Sequence, residues 1–487
     1  MLFNSLEFLV FFPIVTLLYF TIPHRWQWLW LLTVSCLFYM WAVPVYIVFL
    51  AVSVLIDFFA AQAVEAAVGK RKKLFLMLSI ISNLTLLGIF KYYNFFVGNL
   101  AALAHLLGWQ YQTPHFNVLL PIGISFYTFQ TLSYTFEVYR GHCRAQRHFG
   151  RFALFVTFFP QLVAGPIERP QDLLPQFEQE HRFEYRRVVF GLQLMVWGMF
   201  KKVVIADNFA KLVNPVYADP HSFNGLQLFI ATALFPSQIY CDFSGYSDIA
   251  LGAAQVMGFS LTPNFRQPFL SRSLAEFWKR WNITIMNWFR DYVYATLRKP
   301  QEPVWKKQLK QLFVFLLSGL WHGADWTFVV WGGVNGLYLI IGKLTVKIRK
   351  QIAAWCRLTK YPVLQSRIQI VITFVLVVYS SIFFRAQSFA DGIYIAGHWF
   401  EKPNYLQSFQ LLKQSLATVF AGKFEFLFTL AMAVILMSIE TQQRQNSLRE
   451  RISRLPAIVR WSLYAGFILF ILLFGEYGGS RFIYFQF

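Results

Sequence analysis

The chain has 487 residues, 57% of them apolar and only 14% charged, against about 25% charged residues in average soluble proteins. That deficit excludes an ordinary soluble protein and leaves room for roughly ten spans of about 20 residues each. The net charge of +21 falls in short basic blocks between apolar runs, so membrane orientation explains it before nucleic-acid binding does, and no nucleic-acid partner is expected.

Apolar runs recur from end to end, near 6–23, 28–41, 44–63, 74–98, 117–136, 188–206, 226–243, 311–321, 326–346, 368–385, 424–440 and 461–474. The first lacks a basic leading region and a small-residue cleavage site, so it reads as a retained span with its N-terminus outside. The runs 28–41 and 44–63 predict a hairpin broken near Pro44. The stretch 151–166, containing FFPQLVAGP, predicts a re-entrant segment, which at membrane depth must be packed in protein or line a wet cavity. Glu137 and Glu168, near the boundary of these runs, are expected to pair with nearby arginines. The polar stretches at 261–310 and 386–423 are the longest, and neither is a soluble domain. The whole of 1–487 therefore reads as one integral membrane domain, an all-α polytopic membrane protein.

Basic blocks at Lys70–Lys73, Arg140–Arg151, 266–310, Lys343–Arg367 and Arg444–Arg460 belong on the cytoplasmic side. The connections 108–117 and 214–225 carry no Lys or Arg and belong outside. The segment 311–346 begins and ends beside cytoplasmic blocks, so it enters the membrane and returns, with His322 at its turn. Cys36, Cys143, Cys241 and Cys356 are scattered without a CxxC pair, so neither a disulfide framework nor a metal site is expected.

Three stretches carry chemistry. In LSGLWHGADWTFVVWGG, residues 317–333, glycines permit close helix approach and Trp321, Trp326 and Trp331 wall a site around His322. An ionisable residue inside an apolar hairpin is costly and marks a functional site by default. Burial disfavours the imidazolium and leaves a ring able to accept a proton. The plain alternative is a core histidine, with Asp325 merely capping a helix. In AEFWKRWNITIMNWFRDYVY, residues 275–294, the aromatic spacing predicts one amphipathic helix at the cytoplasmic interface. Its alternative is a simple surface anchor, which leaves Asn282 unexplained; that amide suits orienting a substrate or stabilising developing negative charge. In YCDFSGYSDIALGAAQVMGF, residues 240–259, Tyr240, Asp242 and Ser244 read either as a chamber lining or as a helix cap.

Together these pieces resemble the membrane-bound O-acyltransferase family. They do so in the order MLFNSLEFLVFFPIV, PIGISFYTFQ, FFPQLVAGPIERP, YCDFSGYSDIALGAAQVMGF, FWKRWNITIMNWFRDYVY, LSGLWHGADWTFVVWGG, FFRAQSF and FIYFQF. The resemblance is to the bacterial branch that acylates alginate, peptidoglycan or teichoic acid. It implies a multi-helix chamber of about 10–12 spans plus re-entrant segments, with 261–310 a cytoplasmic amphipathic segment and 311–346 the catalytic hairpin. It places the family's catalytic histidine on His322 and its second polar position on Asn282. Asparagine there, where the D-alanine transfer proteins usually carry histidine, tilts the reading towards acetyl transfer.

The function so implied is O-acetylation of an extracytoplasmic polysaccharide such as alginate, by a multi-pass protein of the bacterial cytoplasmic membrane. The resemblance implies acetyl-CoA as the donor substrate, with no tightly bound cofactor expected. Arg280 and Arg290 are candidates to guide the CoA phosphates, and Trp278, Asp291 and Trp321 complete the candidate substrate-binding set. The chain contains no G-x-S-x-G motif, so a separate periplasmic transfer partner is expected, besides membrane lipid. The alternatives are peptidoglycan or teichoic acid as acceptor, or, in another class, a membrane transporter.

Overall fold

The computed structural model describes residues 1–109, 120–399, 423–443, 448–477 and 482–483. Most of the 108–117 connection, the start of the 117–136 run, Arg444 and most of the closing FIYFQF lie outside the described residues. Those described form helices and no β-strand. Six helices are long and apolar enough to cross a membrane: Tyr46–Ala66, Lys70–Leu106, Tyr185–Ala218, Trp326–Leu344, Pro362–Arg385 and Ala457–Phe474. Leu6–Thr21 and Leu427–Gln442 are shorter apolar helices. The chain divides into two compact units, Met1–Met195 with Tyr246–Pro263, and Val196–Gly245 with Asn264–Phe487.

In the first unit the expected break at Pro44 separates helices His24–Met40 and Tyr46–Ala66. The helices Tyr46–Ala66, Lys70–Leu87 and Ile124–Arg140 pack against one another. Their shared core holds Asp57, fully buried. Its carboxylate accepts from Ser79, from Asn83 Nδ2 at 2.8 Å and from Thr135 Oγ1 at 3.2 Å. A carboxylate among apolar helices persists only when hydrogen-bonded in this way. Gly123 opens the third of these helices at φ +77, and a Cβ there would stand 2.9 Å from the carbonyl oxygen of Leu162. Only glycine meets both demands.

The predicted re-entrant stretch is two short helices, Phe149–Thr157 and Phe159–Leu162, broken at Phe158. Every residue from Phe152 to Glu168 is buried, which is how irregular backbone is tolerated in such a protein. Glu137 meets Arg140 at 3.9 Å, as expected, but is held more closely by His142 at 2.8 Å and Gln171 at 2.9 Å. Glu168 differs from expectation. Its carboxylate accepts from the backbone N–H and the hydroxyl of Thr262, not from an arginine. Burial pushes this carboxyl up to about 7. A raised carboxyl contributes its stability fully below its unfolded value, and loses it as pH rises through the folded one. Thermal stability is therefore expected to decline between about pH 4.5 and 7 through this group. Glu168→Gln should flatten that part of the stability–pH curve measured in detergent. An unaltered curve would show that the carboxyl does not titrate there.

In the second unit, Val304–His322 and Trp326–Leu344 form the expected helical hairpin. The helices meet at their glycines. A Cβ on Gly319 would lie 2.2 Å from the carbonyl oxygen of Phe328, and one on Gly332 would lie 2.2 Å from that of Phe315. The segment 275–294 is not one helix. It consists of Leu274–Phe277, a left-handed residue at Asn282 (φ +45), Ile283–Trp288 and a π-helical turn over Phe289–Tyr294. Its aromatic side chains from Phe277 to Tyr292 are nonetheless buried, as their spacing predicts. Asparagine is one of the few residues that adopts the left-handed conformation readily, so helical periodicity runs straight through a break that only the backbone reveals.

Candidate active site

His322 is the last residue of its helix, with Gly323 as the extended C-cap. Asp325 caps the returning helix by accepting from the N–H of Thr327 at 2.8 Å, as the plain reading of that residue holds. The imidazole is 6% exposed. It packs edge-on against Trp321, Trp331 and Phe384, with ring centroids 4.8, 5.1 and 5.3 Å away. Three aromatic walls fix the ring's orientation and lower the local dielectric, conditions that strengthen any hydrogen bond made there.

The ring lines a cavity of about 40 Å³, room for roughly two or three waters. The wall comes from several elements. Phe235, Pro236 and Ile239 come from the helix Gly225–Met257, and Phe277, Trp278 and Trp281 from the broken segment. Trp331 and Asn335 come from the returning arm of the hairpin, and Val377, Ser380, Ser381 and Phe384 from Pro362–Arg385. A mostly apolar enclosure with a few placed polar groups is the usual make-up of a small-molecule site.

Of the residues singled out from sequence, the structure brings His322 and Trp278 to this cavity. Trp331 joins them, whereas Trp326 is 53% exposed. Trp321 touches the imidazole without lining the cavity. Asn282 is buried in the same unit, and its Oδ1 has no hydrogen-bond partner among the described residues. It is not a cavity-lining residue. Arg280 bridges to Glu276 at 2.6 Å. Arg290 pairs with its neighbour Asp291 at 2.7 Å on the exposed side of the segment.

Tyr240, Asp242 and Ser244 belong to a buried polar cluster beside the cavity-lining turn of their helix. Ser244 accepts from Lys201 Nζ at 2.8 Å. Lys202 Nζ lies 2.8 Å from Asp207 and 2.7 Å from Asp242. Asp242 also accepts from the N–H of Ile483 at 2.8 Å, and Tyr240 donates to Glu440. These groups answer one another. The sequence reading missed Asn335, Ser380 and Ser381. The available signal was faint: single polar residues inside apolar runs, with Asn335 one turn beyond Trp331.

The chain is thus a helical, multi-pass membrane protein with a histidine buried beside a small cavity. Residues 142–384 match the model of the MBOAT, membrane-bound O-acyltransferase, family, a stretch that contains the whole cavity wall. A probable alginate O-acetylase, AlgI, of Azotobacter vinelandii is 37% identical over 346 residues, covering 70% of this chain and 68% of that one. A peptidoglycan O-acetyltransferase of Helicobacter pylori is 32% identical over 376 residues, covering 70% of each. A teichoic acid D-alanyltransferase of Streptococcus thermophilus is 28% identical over 47% of this chain and 59% of that one. The chain belongs to the membrane-bound O-acyltransferase family and is an O-acyltransferase.

Proposed function

We propose that the protein carries an acetyl group from cytoplasmic acetyl-CoA to a hydroxyl on the path to an extracytoplasmic polysaccharide such as alginate, with His322 as the general base. The observation that carries this reading is the burial of His322 at the hairpin turn, beside a small, mostly apolar cavity. The likeness to a probable alginate O-acetylase across two thirds of both chains favours acetyl and polysaccharide over D-alanine and teichoic acid.

In this reaction the imidazole takes the acceptor hydroxyl's proton as its oxygen attacks the thioester carbonyl. The tetrahedral intermediate then expels CoA thiolate, and the imidazolium returns the proton to sulfur. No atom is left over. The basic stretch 266–310 suits the CoA phosphates on the cytoplasmic face of a bacterial inner membrane. A periplasmic partner protein would complete delivery to the polymer.

The direct test is CoA release by the purified protein in detergent, where transport has no meaning, with acetyl-CoA and an oligomannuronate acceptor. Acetyl-CoA turnover that depends on acceptor supports the reading, and its absence removes it. Asn282 is assigned to orienting the thioester or stabilising the oxyanion. Its left-handed backbone alone favours asparagine or glycine, so Asn282→Gly separates backbone from amide. Loss of one such polar group typically costs about 10²–10³-fold in turnover. That drop is expected in a folded Asn282→Gly protein. Wild-type turnover would reduce Asn282 to a backbone role.

A further inference from the structure

Asn335 is 1% exposed and lines the cavity beside His322. Its Nδ2 donates to the carbonyl oxygen of Trp331, one turn back, at 2.9 Å. That bond fixes which way the amide faces, because the flipped amide would set two oxygens against each other. Oδ1 is thereby committed as an acceptor, and it is buried with no hydrogen-bond partner among the described residues. An acceptor left so is costly and calls for an explanation. The neighbouring hydroxyls add to the same polarity. Ser380 donates to Val377 at 3.0 Å and Ser381 to Val378 at 2.7 Å, so their protons are engaged and their oxygens remain as acceptors. While Trp278 Nε1, also on the cavity wall and without a hydrogen-bond partner among the described residues, offers a donor to a ligand's acceptor, Asn335 Oδ1 thus offers an acceptor to a ligand that brings a donor.

The reacting atoms bring none that is free. The thioester carbonyl oxygen and sulfur are acceptors, and the attacking hydroxyl's one proton goes to His322. The first N–H along a pantetheine thioester belongs to the cysteamine amide, two methylenes beyond sulfur. We infer that Asn335 Oδ1 receives this amide N–H, so that the site recognises the pantetheine arm of the donor and aligns its thioester with His322. The inference rests on the proposed use of a CoA thioester and adds the residue that reads it.

The test compares two small donors with the full-length purified protein: S-acetyl-N-acetylcysteamine, which keeps the amide, and S-acetyl-2-mercaptoethyl acetate, its ester counterpart without the N–H. Wild-type protein should use the amide donor at least about tenfold better in kcat/KM, the worth of one hydrogen bond to a buried group. In Asn335→Leu that preference should collapse towards one. A folded Asn335→Leu protein that keeps the preference overturns the assignment. So does wild-type turnover of both donors without discrimination, a result that needs no variant and leaves the acetyl-transfer reading intact. Absence of turnover with both donors and with acetyl-CoA overturns that reading and this inference together.

Discussion

Replacing His322 with alanine is expected to lower CoA release coupled to acetyl transfer by about 10²–10⁴-fold, the usual worth of a positioned general base. The loss should fall on kcat more than on the KM for acetyl-CoA, because the proton is shared only in the transition state. The geometry explains why no neighbour would substitute. The other residues lining the cavity are aromatic, aliphatic, hydroxyl or amide side chains, and none of these is a base near neutral pH. His322→Gln is the sharper variant. It keeps polarity and much of the volume between Trp321, Trp331 and Phe384 while removing the titratable ring. Both variants should elute as folded protein with thermal midpoints near wild type for Gln and lower for Ala, which leaves a void among three rings. A folded His322→Gln protein with wild-type turnover would remove the proposed centre.

The hairpin and its histidine were legible in the sequence because their signals are local. Basic blocks on both sides of 311–346 force the chain to enter and return, and glycines at 319 and 332 mark a close crossing. His322 stands at the end of the apolar run 311–321, where an ionisable residue is costly. The helix end and the capping Asp325 followed from residue type. The polar wall of the cavity was not legible, for a physical reason. Asn335 and Ser380 sit on different helices, and each alone is an unremarked polar residue on an apolar span. Their meeting beside His322 is a tertiary event with no period or spacing to announce it. The break at Asn282 failed differently. Buried aromatic spacing matched a helix on both sides, and one left-handed residue reset the direction without disturbing the pattern. The buried cluster around Tyr240, Asp242 and Ser244 was not legible for a third reason. The partners of Ser244 and Asp242, Lys201 and Lys202, lie inside the 188–206 run, where hydropathy averages two lysines away.

Those lysines carry the last large expected effect. Lys202 is buried between two carboxylates, at 2.8 Å from Asp207 and 2.7 Å from Asp242. It lies within the apolar helical stretch Tyr185–Ala218. Removing one partner of a buried ion pair typically costs about 3–5 kcal/mol, because the charge left behind keeps its desolvation penalty without its attraction. Lys202→Met leaves two buried carboxylates without the cation between them. The thermal midpoint in detergent is therefore expected to fall sharply, with much less change in Lys201→Met, whose ammonium donates to the hydroxyl of Ser244. The combined variant Lys202→Met, Asp207→Asn, Asp242→Asn should recover much of the loss, since amides of the same shape need no counter-ion. It also retains an acceptor for the N–H of Ile483, which Asp242 now receives. Additive rather than compensating losses would show that the three groups act independently, and that this part of the fold is held by packing instead of charge.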